Sequence, residues 1–139
     1  NNIQGKSDAA KKAWYKAQSF GMIVAGVPHV FGFGGLHGAP DKPIHKKGLL
    51  LHVDVGSYYP SILLAWGLVT RAATNDNYRH VYDTRMSLKA AGRKKEQAPY
   101  KKLLNALSGA MKDITNPAYD PRNNNCMCIN GQLMLLDLI

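Results

Sequence analysis

Long apolar runs, a secretory signal, internal repeats and low-complexity tracts are all missing from this sequence of 139 residues. A membrane-spanning helix needs about 20 consecutive apolar residues, so we expect a soluble protein with no membrane contact. Residues 1–14 lack the apolar segment of a secretory signal, which predicts a cytoplasmic location. The first residue is not methionine, so we expect the sequence to be a piece of a longer protein.

Cysteine is also scarce, since Cys126 and Cys128 are the only two. We predict a short strand here, in which residues i and i+2 point to the same face, so both thiols could face a core. A zinc site would need further ligands at a typical spacing, and the sequence has none nearby. We therefore expect two reduced structural thiols.

Acidic residues are few, since nine Asp and Glu stand against 18 Lys and Arg, which gives a formal net charge of +9. This excess favours a polyanionic partner, with nucleic acid ahead of an anionic membrane. The open alternative is a basic surface that only contacts solvent.

The order of apolar and polar segments predicts an α+β fold, built from a small sheet with packed helices and an antiparallel helical hairpin. Predicted helices cover 7–20, 57–67, 78–97 and 99–114 and run from about 130 to the end, and predicted strands cover 48–55 and 126–129. Ser7 is the expected N-cap of the first helix, and Pro99 is expected to open the fourth. Residues 26–43, rich in glycine, proline and aromatics, predict a loop or hairpin.

Asp54 ends the predicted strand 48–55 and stands just before a predicted helix N-terminus. A carboxylate suits Mg²⁺, and the backbone N–H groups from Ser57 to Tyr59 suit phosphate oxygens. The combination is what a Mg²⁺–triphosphate requires. The open alternative is a capping aspartate beside packed tyrosines.

Basic side chains recur at helical spacing on the predicted hairpin. Arg85 and Lys89 share one face of its first helix, and Lys101, Asn105 and Lys112 share one side of its second. Because the helices are antiparallel, both rows could face one groove and clamp a triphosphate. The alternative is that both rows are solvated faces.

These segments resemble known motifs. "DVGSYYPSI" resembles the D-x-x-S-L-Y-P-S-I signature (motif A) of family B DNA polymerases, "RMSLK" resembles the R-x-x-x-K of their fingers, and "KKLLNALSG" resembles the K-x-x-x-N-S-x-Y-G of motif B. The flanks "FGFGGLHG" and "INGQLMLLDLI" resemble polymerases of phages and prophages. The resemblance covers about residues 30–139.

The resemblance implies a role for each matching residue. Asp54 would be a catalytic Mg²⁺ ligand, helped by the Val55 backbone carbonyl, and Tyr59 would stack beneath the deoxyribose as the steric gate. The residues implied to bind the nucleotide are Ser57, Tyr58, Tyr59, Arg85, Lys89, Lys101 and Asn105. Those implied to bind DNA are Gly34, Gly35, His37, Gly109 and Lys112.

Two departures from the family pattern have consequences. Ser108 stands where an aromatic residue usually packs against the nascent base pair. No motif C with its Y-x-D-T-D hairpin is present up to Ile139. Because two-metal phosphoryl transfer needs a second carboxylate, we expect an incomplete two-ion site and an isolated chain that is inactive or nearly so.

The sequence therefore predicts a fragment of a DNA-directed DNA polymerase in the cytoplasm of a bacterial host. Its parts would be an N-terminal palm portion (1–73), a fingers hairpin (74–115) and a palm return (116–139), forming one structural unit. Expected partners are primer–template DNA, dNTP, the exonuclease, the remaining palm and the thumb, and exposed edges could drive dimerisation. The alternative is a non-catalytic nucleic-acid or nucleotide binding module, as a degenerate or split polymerase half would be.

Overall fold

The structure, a computed structural model, describes residues 5–70 and 73–139 and confirms the predicted α+β class. The helices are α1 (Asp8–Ala17), α2 (Tyr58–Ala65), α3 (Asn75–Ala90), α4 (Lys94–Ala110) and α5 (Pro121–Leu136). The strands are β1 (Phe20–Val24), β2 (Val27–Gly32) and β3 (Gly35–Gly38). Within the described ranges, no helix is long and apolar enough to cross a membrane.

Two compact units make up the fold, one formed by residues 1–53 with 132–139 and the other by residues 54–131. The division predicted from the sequence, at 73 and 115, stays a prediction.

The first unit is built on an antiparallel sheet in the order β1-β2-β3. Ala25 and Gly26 link β1 to β2, and both have positive φ (49° and 76°), as a tight primed hairpin turn requires. Strands β2 and β3 pair within residues 26–43, so the predicted loop or hairpin is a hairpin. Strand β1 was not predicted. On α1, the Ser7 hydroxyl accepts a hydrogen bond from the Ala10 amide at 3.3 Å, which confirms the predicted N-cap.

Aromatic rings hold α1 against the hairpin of β2 and β3. The Trp14 and Tyr15 rings lie 5.5 and 5.3 Å from the Phe33 ring, centroid to centroid. Aromatic pairs at such distances stabilise a contact beyond the area they bury. Phe33, in the turn between β2 and β3, thus packs α1 against the sheet.

The strand predicted at 48–55 is wrong. The segment belongs to no sheet of the described structure, and its leucines are exposed, with Leu49 at 101% and Leu51 at 83%. An apolar run forms a strand only where a neighbouring strand accepts and donates its backbone hydrogen bonds. Among the described residues no strand pairs with this segment.

The strand predicted at 126–129 is also wrong, because these residues lie within α5. In a helix, residues i and i+2 lie on different faces, so Cys126 and Cys128 do not share an environment. Cys128 is buried and Cys126 is half-buried.

The second unit contains the main hydrophobic core and the predicted helical hairpin. Its core is formed chiefly by Ile62, Leu63, Leu104, Met111 and Met127. Helices α3 and α4 pack along each other, joined by a turn at Gly92 with φ of 70°. Pro60 lies in the first turn of α2, where a missing backbone N–H is tolerated.

The start of α4 differs from the prediction. The helix begins at Lys94 rather than Pro99, so Pro99 lies inside it. The Arg93 guanidinium pairs with the Glu96 carboxylate, with Nε donating to Oε1 at 2.6 Å, and this pair braces the added first turn. The Gln97 backbone N–H donates to the Arg93 backbone carbonyl at 3.1 Å, which is a regular α-helical hydrogen bond.

Candidate nucleotide-binding site

One open cavity of about 390 Å³ lies in the second unit, between the segment that leads into α2 and the hairpin of α3 and α4. Its lining includes all nine residues that the sequence predicted for the metal and the nucleotide: Asp54, Val55, Ser57, Tyr58, Tyr59, Arg85, Lys89, Lys101 and Asn105. Gly56, Pro60 and Gln97 complete it. Residues up to 51 positions apart in the chain, from Asp54 to Asn105, therefore surround one space.

Ser57 shapes the entrance to α2. Its backbone is left-handed, with φ 57° and ψ 41°, a conformation that costs a non-glycine residue about 1–3 kcal/mol and recurs at functional sites. Its hydroxyl does not cap α2 but accepts a hydrogen bond from Arg85 Nη1 and lies 3.8 Å from the Met86 sulfur. The N-terminus of α2 therefore borders the cavity without a side-chain cap.

Arg85 is the buried cation of the cavity, with 6% of the residue exposed. Besides the Ser57 hydroxyl, it contacts the Gln97 side chain, whose Oε1 accepts from Arg85 Nε at 3.3 Å. Both partners are neutral. Within the described residues, no carboxylate lies within 4 Å of this guanidinium.

Two lysines add exposed positive charge. Lys89, one turn after Arg85 on α3, extends toward the chain before α2, since a methyl group at Gly56 would meet the Lys89 ammonium at 3.5 Å. Lys101 lies on α4, one turn before Asn105, and both side chains are exposed. Facing these cations, Asp54 is exposed and is the one acidic residue in the described lining.

The two tyrosines are packed against α5 at Gly131. The Tyr58 hydroxyl donates to the Gly131 carbonyl, and the two tyrosine rings lie 5.6 Å apart. Burial raises the pKa of Tyr58, and burial together with Cys128 and Tyr58 raises the pKa of Tyr59. Both phenols are therefore neutral at physiological pH, and Tyr59 presents a fixed ring in the cavity wall.

The five residues predicted to contact DNA do not line this cavity. Gly34 lies in the turn between β2 and β3 with φ of 116°, and Gly35 and His37 lie in β3. Gly109 is near the end of α4, and Lys112 follows that helix. Their contact with DNA stays a prediction.

Two side chains behave differently from expectation. Gln97, the last residue of the predicted helix 78–97, was not predicted as a site residue, yet it lines the cavity on the first turns of α4. Ser108, where the resembled family has an aromatic residue, donates its hydroxyl to the Asn105 carbonyl at 2.9 Å. Within the described part of the chain, no group of three or more His, Cys, Asp or Glu side chains is gathered for a metal.

The charges of the cavity lining suit an anion that arrives with a bound metal cation. Three positive side chains and one carboxylate suit a phosphate chain with Mg²⁺, which binds through one or two carboxylates plus phosphate oxygens. Comparison of the chain with models of known protein families, with curated proteins and with solved structures finds no match.

Proposed function

We propose that this chain is the nucleotide-binding part of a DNA-directed DNA polymerase, which adds a dNTP to a primer 3′-hydroxyl. The observation that carries the proposal is the common cavity. Nine residues selected by three separate sequence motifs line one space, and they bring three cations and one carboxylate to it.

The charges suit a triphosphate. Arg85 offers a planar fork for phosphate oxygens, and Lys89 and Lys101 add mobile ammonium groups. The N-terminus of α2 adds the positive end of a helix dipole, with no side-chain cap from Ser57 to compete for it. In polymerisation these groups would orient the phosphates and stabilise the charge that develops on them.

Asp54 is the residue that fits Mg²⁺. Its carboxylate is exposed at the cavity and forms no ion pair with any described residue, so it is available to a metal carried by the triphosphate. When bound, Mg²⁺ would neutralise phosphate charge and polarise the reacting phosphorus centre. The same proposal gives the Val55 carbonyl a supporting role.

Tyr59 and Asn105 would face the sugar and base of the nucleotide. The Tyr59 ring is held by Tyr58 and by Gly131, where an added methyl would meet it at 3.4 Å. A ring fixed in this way could exclude a 2′-hydroxyl by contact, as a steric gate does. Primer–template DNA is the proposed partner of the basic surface, and a bacterial cytoplasm with phage ancestry is the proposed setting.

Nucleotide binding provides the first test, because it needs only the cavity. A fluorescent dATP analogue titrated with Mg²⁺ should bind the chain, and Lys101→Ala should weaken binding about tenfold through loss of a charge-assisted contact. Lys102→Ala is the matched control, since Lys102 is exposed, adjacent on α4 and outside the cavity lining. Equal loss in both variants would mean that only net charge is being measured.

A labelled primer–template separates the polymerase from the binding-module alternative. If the next correct dNTP with Mg²⁺ tightens DNA binding and incorrect dNTPs do not, the nucleotide site is assembled as proposed. Salt-sensitive DNA binding that ignores dNTP would instead favour a non-catalytic nucleic-acid binding module.

A further inference from the structure

Arg85 carries a positive charge that the described protein does not neutralise. A residue this buried, at 6% exposure, normally pairs its charge with a carboxylate. Here the two hydrogen-bond partners are the Ser57 hydroxyl and the Gln97 amide oxygen, and neither is charged. The neutral partners fix the guanidinium without cancelling its charge.

The hydrogen bonds leave most of the guanidinium free. Arginine has five N–H donors, of which Nε is directed to Gln97 and one on Nη1 to Ser57. The other donors have no partner among the described residues, and Arg85 lines the cavity. They can therefore be used by phosphate oxygens.

Gln97 is itself held in place. It lies on the first turns of α4, its backbone amide bonds to the Arg93 carbonyl, and the Arg93–Glu96 ion pair braces that turn. Glu96 is the neighbouring carboxylate, yet it pairs with Arg93 on the exposed side and leaves Arg85 to the glutamine. The sequence Glu96-Gln97 thus places the charged acceptor outside the site and the neutral acceptor inside it.

We propose that Gln97 is a positioning residue for phosphate binding, which holds Arg85 in the cavity and, being neutral, leaves its charge for the triphosphate. This inference rests on the proposed function. The Gln97 side-chain amide accepts the hydrogen bond from Arg85 without neutralising the guanidinium. A glutamate carboxylate would accept the same hydrogen bond but would also neutralise the charge.

The Gln97→Glu variant tests the charge directly. The new carboxylate would keep the hydrogen bond to Arg85 Nε but pair with the guanidinium, so Mg²⁺–dATP affinity should fall about tenfold or more. Thermal stability should stay the same or rise, because the buried cation gains a counter-charge. If Gln97 were only a structural brace, Gln97→Glu would bind like the wild type, and that result would overturn the proposal.

Two further variants complete the set. Gln97→Met removes the acceptor without adding charge and should weaken binding about threefold through loss of one hydrogen bond. Gln18→Glu makes the same charge change at an exposed site in the other unit and should leave affinity unchanged. A tenfold loss in Gln18→Glu would attribute the effect to net charge and overturn the positioning role.

A ligand-free measurement distinguishes this proposal from the proposed function. The Arg85 Nε–H signal in nitrogen-15 NMR should exchange slowly in the wild type and quickly in Gln97→Met. If the chain binds neither the dATP analogue nor inorganic triphosphate while this difference is seen, the nucleotide function fails and the contact remains. If nucleotide binds but the signal is unchanged in Gln97→Met, the positioning role alone is overturned.

Discussion

Tyr78 links the two helices of the hairpin through a single hydroxyl. The group donates to the Leu104 carbonyl at 3.0 Å, and the residue is buried in the core of the second unit. Burial strongly raises the pKa of this phenol. One side chain therefore supplies both a helix–helix hydrogen bond and a pH-dependent contribution to stability.

We expect Tyr78→Phe to lower the free energy of unfolding by about 0.5–1.5 kcal/mol at neutral pH, the usual net value of one hydrogen bond. Urea unfolding followed by circular dichroism measures this. Tyr119→Phe, at an exposed tyrosine, is the control and should change stability by less than about 0.5 kcal/mol. Equal effects would show that the Leu104 contact does not stabilise the hairpin.

The raised pKa of Tyr78 also predicts a loss of stability in alkali. The ordinary tyrosine pKa of 10.0 applies to the unfolded chain, while the folded chain retains the proton to higher pH. The stabilisation is thus complete below pH 10 and is lost as pH rises above it, with a slope of about 1.4 kcal/mol per pH unit for one group. Tyr78→Phe should show a shallower decline between pH 9 and 11, and parallel declines would contradict this.

Gly131 on α5 lies close to side chains of α2. A methyl group there would meet Ile62 Cδ1 and Tyr58 Cε1 at 3.3 Å, which is tighter than ordinary contact. A side chain at this position would force these neighbours to shift by a few tenths of an ångström, so glycine permits the close packing despite its lower helix propensity.

Gly131→Val should therefore destabilise the fold by about 1–3 kcal/mol, as overpacking does, and should weaken nucleotide binding by displacing Tyr59. Gly109→Val on α4 is the matched control, because nothing lies within 4 Å of a methyl group there. Thermal unfolding of the two variants gives the comparison. A Gly131→Val protein as stable as Gly109→Val would mean that α2 and α5 can separate freely.

The helices were more predictable than the strands, for local reasons. Ser7 caps α1 by a hydrogen bond three residues away, and Pro60 needs only its own helix turn, so short sequence patterns carry these features. A strand depends on a partner elsewhere in the chain. The apolar run at 49–55 has no such partner in the described structure. Strand β1 does have one, because it pairs with β2, but the sequence pattern of 26–43 indicated only a loop or hairpin.

The nine residues that the resemblance selected line one cavity, and the omission of Gln97 from that set has a physical cause. A proline usually begins a helix, so Pro99 favoured a late start for α4. The Arg93–Glu96 pair instead supports one further turn, and Gln97 lies on that turn. Ser57's left-handed backbone was likewise hidden, since nothing in a serine predicts positive φ.

For the whole molecule, the exposed leucines at 49–51 predict self-association. Each is more than 80% exposed in a segment that pairs with no described strand, and an exposed apolar patch of this kind favours association. Replacing Leu49, Leu50 and Leu51 together by serine should leave thermal stability nearly unchanged, because no packing is lost.

Sedimentation velocity over a range of concentrations measures the outcome. The wild type should form dimers or larger species as concentration rises, and the triple serine variant should remain monomeric. Leu103→Ser, at an exposed leucine within α4, is the control and should associate like the wild type. A wild type that is monomeric at every concentration would contradict the prediction.

The two walls of the cavity differ in how firmly the chain holds them. Arg85 is buried and doubly hydrogen-bonded, whereas Asp54 follows residues 49–53, which form no backbone hydrogen bond with the described residues. Ordering a backbone residue costs about 1–2 kcal/mol of entropy. Binding of a metal-free triphosphate would avoid this penalty, while capture of Mg²⁺ by Asp54 would incur it. We therefore expect the magnesium-dependent share of affinity to decline on warming, and calorimetry to record it as enthalpy opposed by entropy.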